Sequence, residues 1–195
     1  MATSYVATGR RNQKQRTRDA LVAAARRALA EGETLSVPRV AEAAGIARAT
    51  AYRYFPNPES LAQAAHPEIQ LDSLLGESPP EDLRERLDAV LSEHFRIMRE
   101  WEPQLRAAFA SSLRSADRPI LRRGRAIGWI ADALAPLSES HPDLDLKEVA
   151  VRIRSVAGIE PLVWLVDVAG VSRKRAYALM RANAHAVLDD ALAGG

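Results

Sequence analysis

The stretch 36–55, SVPRVAEAAGIARATAYRYF, decides the fold. Ser36 occupies a helix-capping position, and Val37, Val40, Ala41 and Ala44 follow at helical spacing. Pro38 is tolerated there because first-turn amides have no acceptor within the helix. Gly45 ends this segment, a second short helix runs from about Ala47 to Phe55, and Pro56 closes it. At about 100° per residue, Ala51 and Phe55 share one face and point back at Val40, Ala44 and Ile46. The opposite face carries Ala49, Thr50 and Arg53. Tyr52 and Tyr54 flank it, and Arg48 projects at the N-terminal end. Two short helices joined by a tight glycine turn form a helix-turn-helix, whose second helix fits a major groove. In that geometry Arg48 and Arg53 suit guanine edges or phosphate, Thr50 a phosphate or thymine methyl, and the tyrosine hydroxyls phosphate. An ordinary helical hairpin with polar outer residues has the same pattern, so these residues alone leave both readings open.

Upstream, Leu21, Ala25, Ala28 and Leu29 trace a first helix that Gly32 stops, with Thr17 as its expected cap. Residues 1–15 show no apolar period and are expected to be irregular. Downstream, Asn57-Pro58-Glu59-Ser60 is a strong helix start: a cap, a proline in the first position and an acid near the positive helix end. That fourth helix carries Leu61, Ala64 and Ala65, and Pro67 is expected to bend or end it. Gly76 to Pro80 is the clearest break in the chain. Beyond it, helical faces run from Leu83 to Met98, from Pro103 to Leu113, from Pro119 to Leu134 and from Leu146 to Ala157. Residues 136–142 read as a loop. Gly158 and Pro161 are expected to kink the next segment. Its run Leu162 to Val168 is apolar on all sides except at Asp167, which predicts burial on more than one face. A last helix starts at Gly170 and Ser172 and reaches Leu192. The count is about nine helices in an all-α chain.

Composition agrees. The 195 residues include no cysteine, 47% are hydrophobic, 27% are charged and 5% are aromatic. There is thus no disulfide framework, thiolate metal site or cysteine nucleophile. No apolar run approaches the roughly 18 residues of a membrane span. The N-terminal MATSYVATGRRNQKQ lacks an apolar core of the secretory type, so the expectation is a soluble cytoplasmic protein. The net charge of +2 conceals a pattern. Residues 1–55 hold 10 basic and 4 acidic side chains, whereas residues 56–102 hold 4 and 11. A basic head beside an acidic segment fits a polyanion partner, and a solvated tail equally. Arginine outnumbers lysine 24 to 3, which suits bidentate phosphate contacts.

Residues 17–61, and above all AGIARATAYRYFPNPESL, resemble the N-terminal domain of the tetracycline-repressor (TetR) family of transcriptional regulators. The resemblance implies three basic N-terminal helices, a connecting fourth, and a divergent helical domain for ligand binding and dimerisation. It divides the chain into a flexible basic arm at 1–15, a helix-turn-helix domain at 16–60 and an effector-binding and dimerisation domain at 61–195. It implies that Ala47–Tyr54 is the recognition helix, with Arg48, Ala49, Thr50, Tyr52, Arg53 and Tyr54 supplying base and phosphate contacts. By the same resemblance Ser36 to Arg39, through Ser36 and Arg39, and Thr17 and Arg18 meet the DNA backbone. Three positions depart from the family pattern. Ala47 replaces a serine or threonine cap worth about 1 kcal/mol. Ala49 stands where glycine is frequent, and Pro58 where a lysine is common. Arg10, Arg11 and Arg16 are candidates to compensate from the N-terminal arm.

For the larger domain the resemblance implies a small-molecule effector whose binding changes the separation of two recognition helices in a homodimer. Such a ligand must prefer one of two conformations. Candidate pocket residues are His94, Phe95, Met98, Trp101, Phe109, Trp129 and Trp164. Each also suits an ordinary helical core, and His94 a core histidine. The Arg118-to-Arg125 cluster fits an anionic effector or a solvated face. Leu162, Trp164, Leu165, Ala176, Leu179, Met180 and Val187 are the candidate dimer interface, on the last two helices. Two recognition helices about 34 Å apart would read a palindrome in double-stranded DNA. No metal site, cofactor or catalytic residue is expected. His66, His94, His141 and His185 are far apart, and no HExxH, GxSxG or phosphate-binding glycine loop occurs. The alternatives are a helical protein-interaction module, or a pocket enzyme, with an incidental basic head. The expected function is a DNA-binding regulator, a repressor rather than an activator.

Overall fold

The computed structural model describes residues 3–65, 71–114 and 125–194. Among these residues the regular structure is entirely helical, with no strand. Two compact units emerge. One comprises α1 (Thr3–Ala30), α2 (Val37–Ala43), α3 (Arg48–Tyr54) and α4 (Pro58–Ala65), together with α6 (Glu102–Arg114) from Pro103 onward. The other contains α5 (Leu83–Glu100), α7 (Arg125–Ala133), α8 (Leu137–Ser140), α9 (Leu146–Val156), α10 (Ile159–Val163), a π-helical turn (Trp164–Val168) and α11 (Arg173–Ala193). Sequence periodicity assigned α6 to the larger bundle. Its Ala107 instead packs on the core of the first unit, and Gln104 Nε2 donates to the carbonyl of Arg26 over 3.1 Å.

The first unit is built around Leu21, Ala25, Leu29, Val40, Ala41, Ala51, Phe55 and Leu61, all buried. Two glycine stops shape it. Gly32 takes φ +77°, and behind it the amide of Glu33 returns to the carbonyl of Ala28 over 2.9 Å. Gly45 takes φ +65°. There the amides of Ile46 and Gly45 return to the carbonyls of Ala41 and Glu42 over 2.8 and 3.0 Å. Both are Schellman closures, which need a residue that tolerates the left-handed region. The fourth helix starts as its sequence indicates: Asn57 Oδ1 accepts from the amide of Ser60 over 2.8 Å.

Three local expectations change. Residues 3–15 belong to α1 rather than to an irregular segment. Their sequence has no apolar period, but it also lacks proline, and a helix once nucleated propagates at little cost per residue. Thr17 therefore lies inside α1, not at its start, and its hydroxyl donates to the carbonyl of Gln13 over 2.9 Å. Ser36 holds the capping position of α2 without a side-chain cap hydrogen bond. The fate of α4 at Pro67, the helix start at Pro119, and Arg118, Arg122 and Arg123 of the arginine cluster lie outside the described residues.

In the second unit, Asp82, Asp145 and Ser172 cap α5, α9 and α11 by accepting first-turn amides. Helices α5 and α11 are joined along their length by polar pairs. Arg84 bonds Asp189, and Asp88 accepts from Arg181 and, over 2.9 Å, pairs with His185 Nε2. Further along, Arg181 reaches Ser92 Oγ over 2.9 Å, and the rings of Phe95 and Tyr177 lie 5.1 Å apart. Burial works to raise the Asp88 carboxyl. Hydrogen bonds from His185 and Arg181, with the arginine's charge, outweigh it and hold the group below the usual carboxylate range.

The run Leu162 to Val168 differs from its expected all-round burial. Leu162 is fully buried, but Trp164 keeps 58% and Val168 71% of their surface exposed. The cause is the change of helical pitch. Here the amide of Ala169 reaches back five residues to the carbonyl of Trp164 over 2.9 Å. That wider turn changes the angular spacing of the side chains, so an all-round apolar run does not bury each of them.

Candidate nucleic-acid interface

Helix α2 packs on both α1 and α3, and this packing fixes which side chains remain outside. Ala51 is fully buried and Phe55 is 4% exposed, so the inner face of α3 is anchored in the core. Ile46 and Ala44 close the turn against the same core. A helix of seven residues held on one side must present its other side. Arg48, Ala49, Tyr52 and Arg53 are exposed, and Thr50 is half-buried. Tyr52 leaves 46% of its surface in solvent, unusual for an aromatic ring. The basic and hydroxyl-bearing residues expected at a DNA contact thus lie together on one surface of α3.

Tyr54 divides from the rest of the set. It is half-buried and packs against the core, leaving less of its ring outside than Tyr52. From α2, Arg39 is exposed and Ser36 half-buried at the helix start. Because Ser36 makes no side-chain cap bond, its hydroxyl is not committed to the helix it precedes. From α1, Arg18 lies with its guanidinium 5.9 Å from the centre of the Phe55 ring, at the C-terminal end of α3. The Thr17 hydroxyl proton is spent on Gln13, so only its oxygen lone pairs are left for another partner.

Helix α3 begins without a side-chain cap, because Ala47 stands at that position. The amides of Thr50 and Ala51 turn back to the carbonyl of Ala47 over 2.9 and 3.0 Å, and Arg48 is the first residue of the helix. Helix α4 is locked on the other side. Arg26 Nε donates to the carbonyl of Ala65 over 2.9 Å, placing a cation at the negative end of that helix.

The candidate effector residues do not form one set. His94, Phe95 and Trp129 come together in the second unit, with ring centres of Phe95 and Trp129 6.1 and 6.2 Å from His94. All three are buried, as is Met98. His94 Nε2 faces the carbonyl of Ala157 over 3.1 Å, which can only accept, so the proton resides on Nε2. Nδ1 is buried without a hydrogen-bond partner. Burial, reinforced by the nearby positive charge of Arg154, pushes the His94 pKa down to about 4 against the opposing bond to Ala157. Trp129 Nε1 donates to the carbonyl of Leu71 over 2.7 Å. Trp101 is half-buried at the end of α5, and Trp164 is exposed. Phe109, on α6, belongs to the first compact unit and not with the others.

The candidate interface residues also separate. Leu162, Ala176 and Met180 have no exposed surface and are spent on the core of their own chain. Leu165, Leu179 and Val187 are half-exposed and Trp164 is exposed. Ala178, Ala182 and Ala186, which a search for large apolar residues overlooks, are exposed at four-residue intervals along α11. Among the described residues no group of three histidine, aspartate or glutamate side chains is placed to hold a metal ion, and no helix is long and apolar enough to cross a membrane.

Residues 21–65 match the family model described as bacterial regulatory proteins, tetR family. No curated protein and no solved structure matches the chain.

Proposed function

We propose that this chain, whose residues 21–65 match the model of the bacterial tetR-family regulatory proteins, is a DNA-binding transcriptional regulator, and more closely a homodimeric repressor released from a palindromic operator by a small-molecule effector. The observation that carries the reading is the outer surface of α3. Arg48, Ala49, Tyr52 and Arg53 are exposed on a helix whose other face is anchored by Ala51 and Phe55. A helix held in this way can enter a major groove without rearrangement. Arg53 and Arg48 contact guanine edges or phosphate. Thr50 and the outward methyl of Ala49 suit a thymine methyl, and the Tyr52 hydroxyl a phosphate. Ser36, Arg39, Thr17 and Arg18 contact the backbone on either side, and Tyr54 contributes at the edge of the surface.

The dimer forms through the uncovered parts of the last helices: Trp164, Leu165, Leu179, Val187 and the alanine row Ala178, Ala182 and Ala186 on α11. An exposed tryptophan beside a nearly bare Val168 leaves apolar area that a second copy would cover. The effector binds in the second unit, near His94, Phe95 and Trp129. The buried, unprotonated Nδ1 of His94 is an acceptor awaiting a donor there. In this reading residues 16–60 serve DNA and 61–195 effector and dimer, although α4 and residues 103–114 pack with the first unit, in a cytoplasmic protein that catalyses no reaction.

Selection from random-sequence DNA tests this reading. The expected result is enrichment of an inverted repeat with half-sites about one helical turn apart. Recovery of sequences with no common element would refute it.

A further inference from the structure

We infer that the N-terminal part of α1 is a helical basic spur that binds duplex phosphates beside the groove entered by α3. The inference rests on the DNA-binding reading of α3 and adds a second contact surface to it.

Helix α1 is 28 residues long, and the first buried side chain described in it is Leu21. The 18 residues ahead of Leu21, roughly 27 Å of helix, also precede the segment matched by the family model, which begins at residue 21. Asn12, Gln13, Lys14, Gln15 and Arg16 are exposed in succession, so that every side of the helix faces solvent there. A helix in a folded domain ordinarily buries one stripe, and this one has no apolar stripe to bury. Its visible support is local: Gln15 Nε2 bonds Asp19 over 2.7 Å, and Thr17 bonds Gln13. Such a spur contributes little to the core.

Its chemistry fits a polyanion. Between residues 3 and 20 the sequence holds Arg10, Arg11, Lys14, Arg16 and Arg18 against a single acid, Asp19. The residues between them are mostly asparagine, glutamine and threonine, which hydrogen-bond phosphate oxygens. Tyr5 is the one aromatic residue between 3 and 20, and none is interleaved with the basic residues 10–18 to stack successive unpaired bases, which favours a duplex over a single strand. Its position fits as well. Arg18, packed over Phe55, sets the point at which the spur leaves the core, at the C-terminal end of α3. Lys14 lies one turn further out on the same side of the helix. The base of the spur is thus tied to the end of the same helix that presents Arg48 and Arg53.

The test compares full-length parent, the variant R10A/R11A/K14A/R16A, the variant K14E/R16E and Arg53→Ala. Each is titrated by anisotropy against the selected operator duplex, a scrambled duplex and single-stranded RNA, from 50 to 300 mM salt. Circular dichroism checks that each variant remains folded. The spur predicts that the alanine variant loses at least about tenfold in affinity at 150 mM salt, by the same factor on both duplexes. Its salt slope should become shallower by about 0.9 for each lost phosphate contact. K14E/R16E should weaken binding likewise. Arg53→Ala should instead reduce the preference for operator over scrambled DNA. Unchanged affinity and slope in the alanine variant, with Arg53→Ala defective, would overturn the spur and leave the regulator reading intact. A loss confined to the operator, or larger on RNA than on duplex, would also overturn it. If the parent prefers no duplex at all, the regulator reading fails, and with it a contact beside the groove of α3.

Discussion

Arg26 Nε donates to the carbonyl of Ala65 over 2.9 Å while the carbonyl of Arg26 itself accepts from Gln104 Nε2 over 3.1 Å. One residue of α1 thus holds the last turn of α4 through its side chain and α6 through its backbone. Arg26→Met keeps much of the aliphatic stem and removes the donor. It is expected to lower unfolding stability by about 1.5–3 kcal/mol, the range for a hydrogen bond to a charged group. The neighbouring exposed Arg27→Met serves as control, with a shift within about 0.5 kcal/mol. Urea midpoints of the two variants check this, and equal midpoints would contradict it.

Gly45→Ala tests the turn on which the orientation of α3 depends. An added Cβ meets nothing within 4 Å, so no clash is introduced. The cost is conformational alone, from φ +65°, and is expected to be about 1–2 kcal/mol. A stability equal to the parent's in thermal or urea unfolding would mean that the turn does not hold this conformation in solution.

Burial of His94 makes stability depend on pH in a defined direction. The group resists protonation when folded, with its pKa pushed down to about 4, but takes a proton at about 6.5 in the unfolded chain. Between those values the unfolded state binds more protons, so stability rises with pH and is lost as pH falls from about 6.5 towards 4. The loss attributable to this residue is on the order of 3 kcal/mol across that window. His94→Gln is expected to flatten the parent's pH dependence there, measured by urea unfolding at pH 7 and pH 5. A parallel pH dependence in both proteins would show that His94 is not the source.

Leu179→Glu is expected to yield folded monomers. Leu179 is half-exposed on α11, so a carboxylate there remains in water in one chain but would be buried unpaired in the proposed dimer. Met180→Glu, one residue on, is expected to unfold the chain instead, because Met180 has no exposed surface. Sedimentation velocity with circular dichroism separates the two effects. An unchanged sedimentation coefficient for Leu179→Glu would place the interface elsewhere.

The helix-turn-helix was legible because its determinants are local. Gly45, the period of Val37, Val40 and Ala41, and the Asn57-Pro58 start all act within a few residues of themselves. The anchored and outer faces of α3 followed from angular spacing alone. The helical form of residues 3–15 was not legible, because helices were read from apolar period and this segment has none. The exposure of Trp164 was not legible for a related reason. A run that is apolar on all sides does not state where the pitch changes, and the π-helical turn changes it. The pairing of α6 with α1, and of Asp88 with Arg181 and His185, joins residues 78 to 97 positions apart. Nothing in a single sequence marks such partners. The uncommitted hydroxyl of Ser36 was likewise invisible, because serine at that position ordinarily caps its own helix.

The central claim is sequence-selective duplex binding through the outer face of α3. The most direct measurement is the anisotropy of a labelled duplex from the region upstream of the protein's own gene, with a scrambled duplex beside it, for the parent and for Arg53→Ala. The account predicts selective binding by the parent that weakens steeply with salt. It predicts a loss of about 1–3 kcal/mol for Arg53→Ala on the selected duplex, with the dimer intact. Equal affinity of parent and Arg53→Ala for a duplex that the parent selects would contradict it.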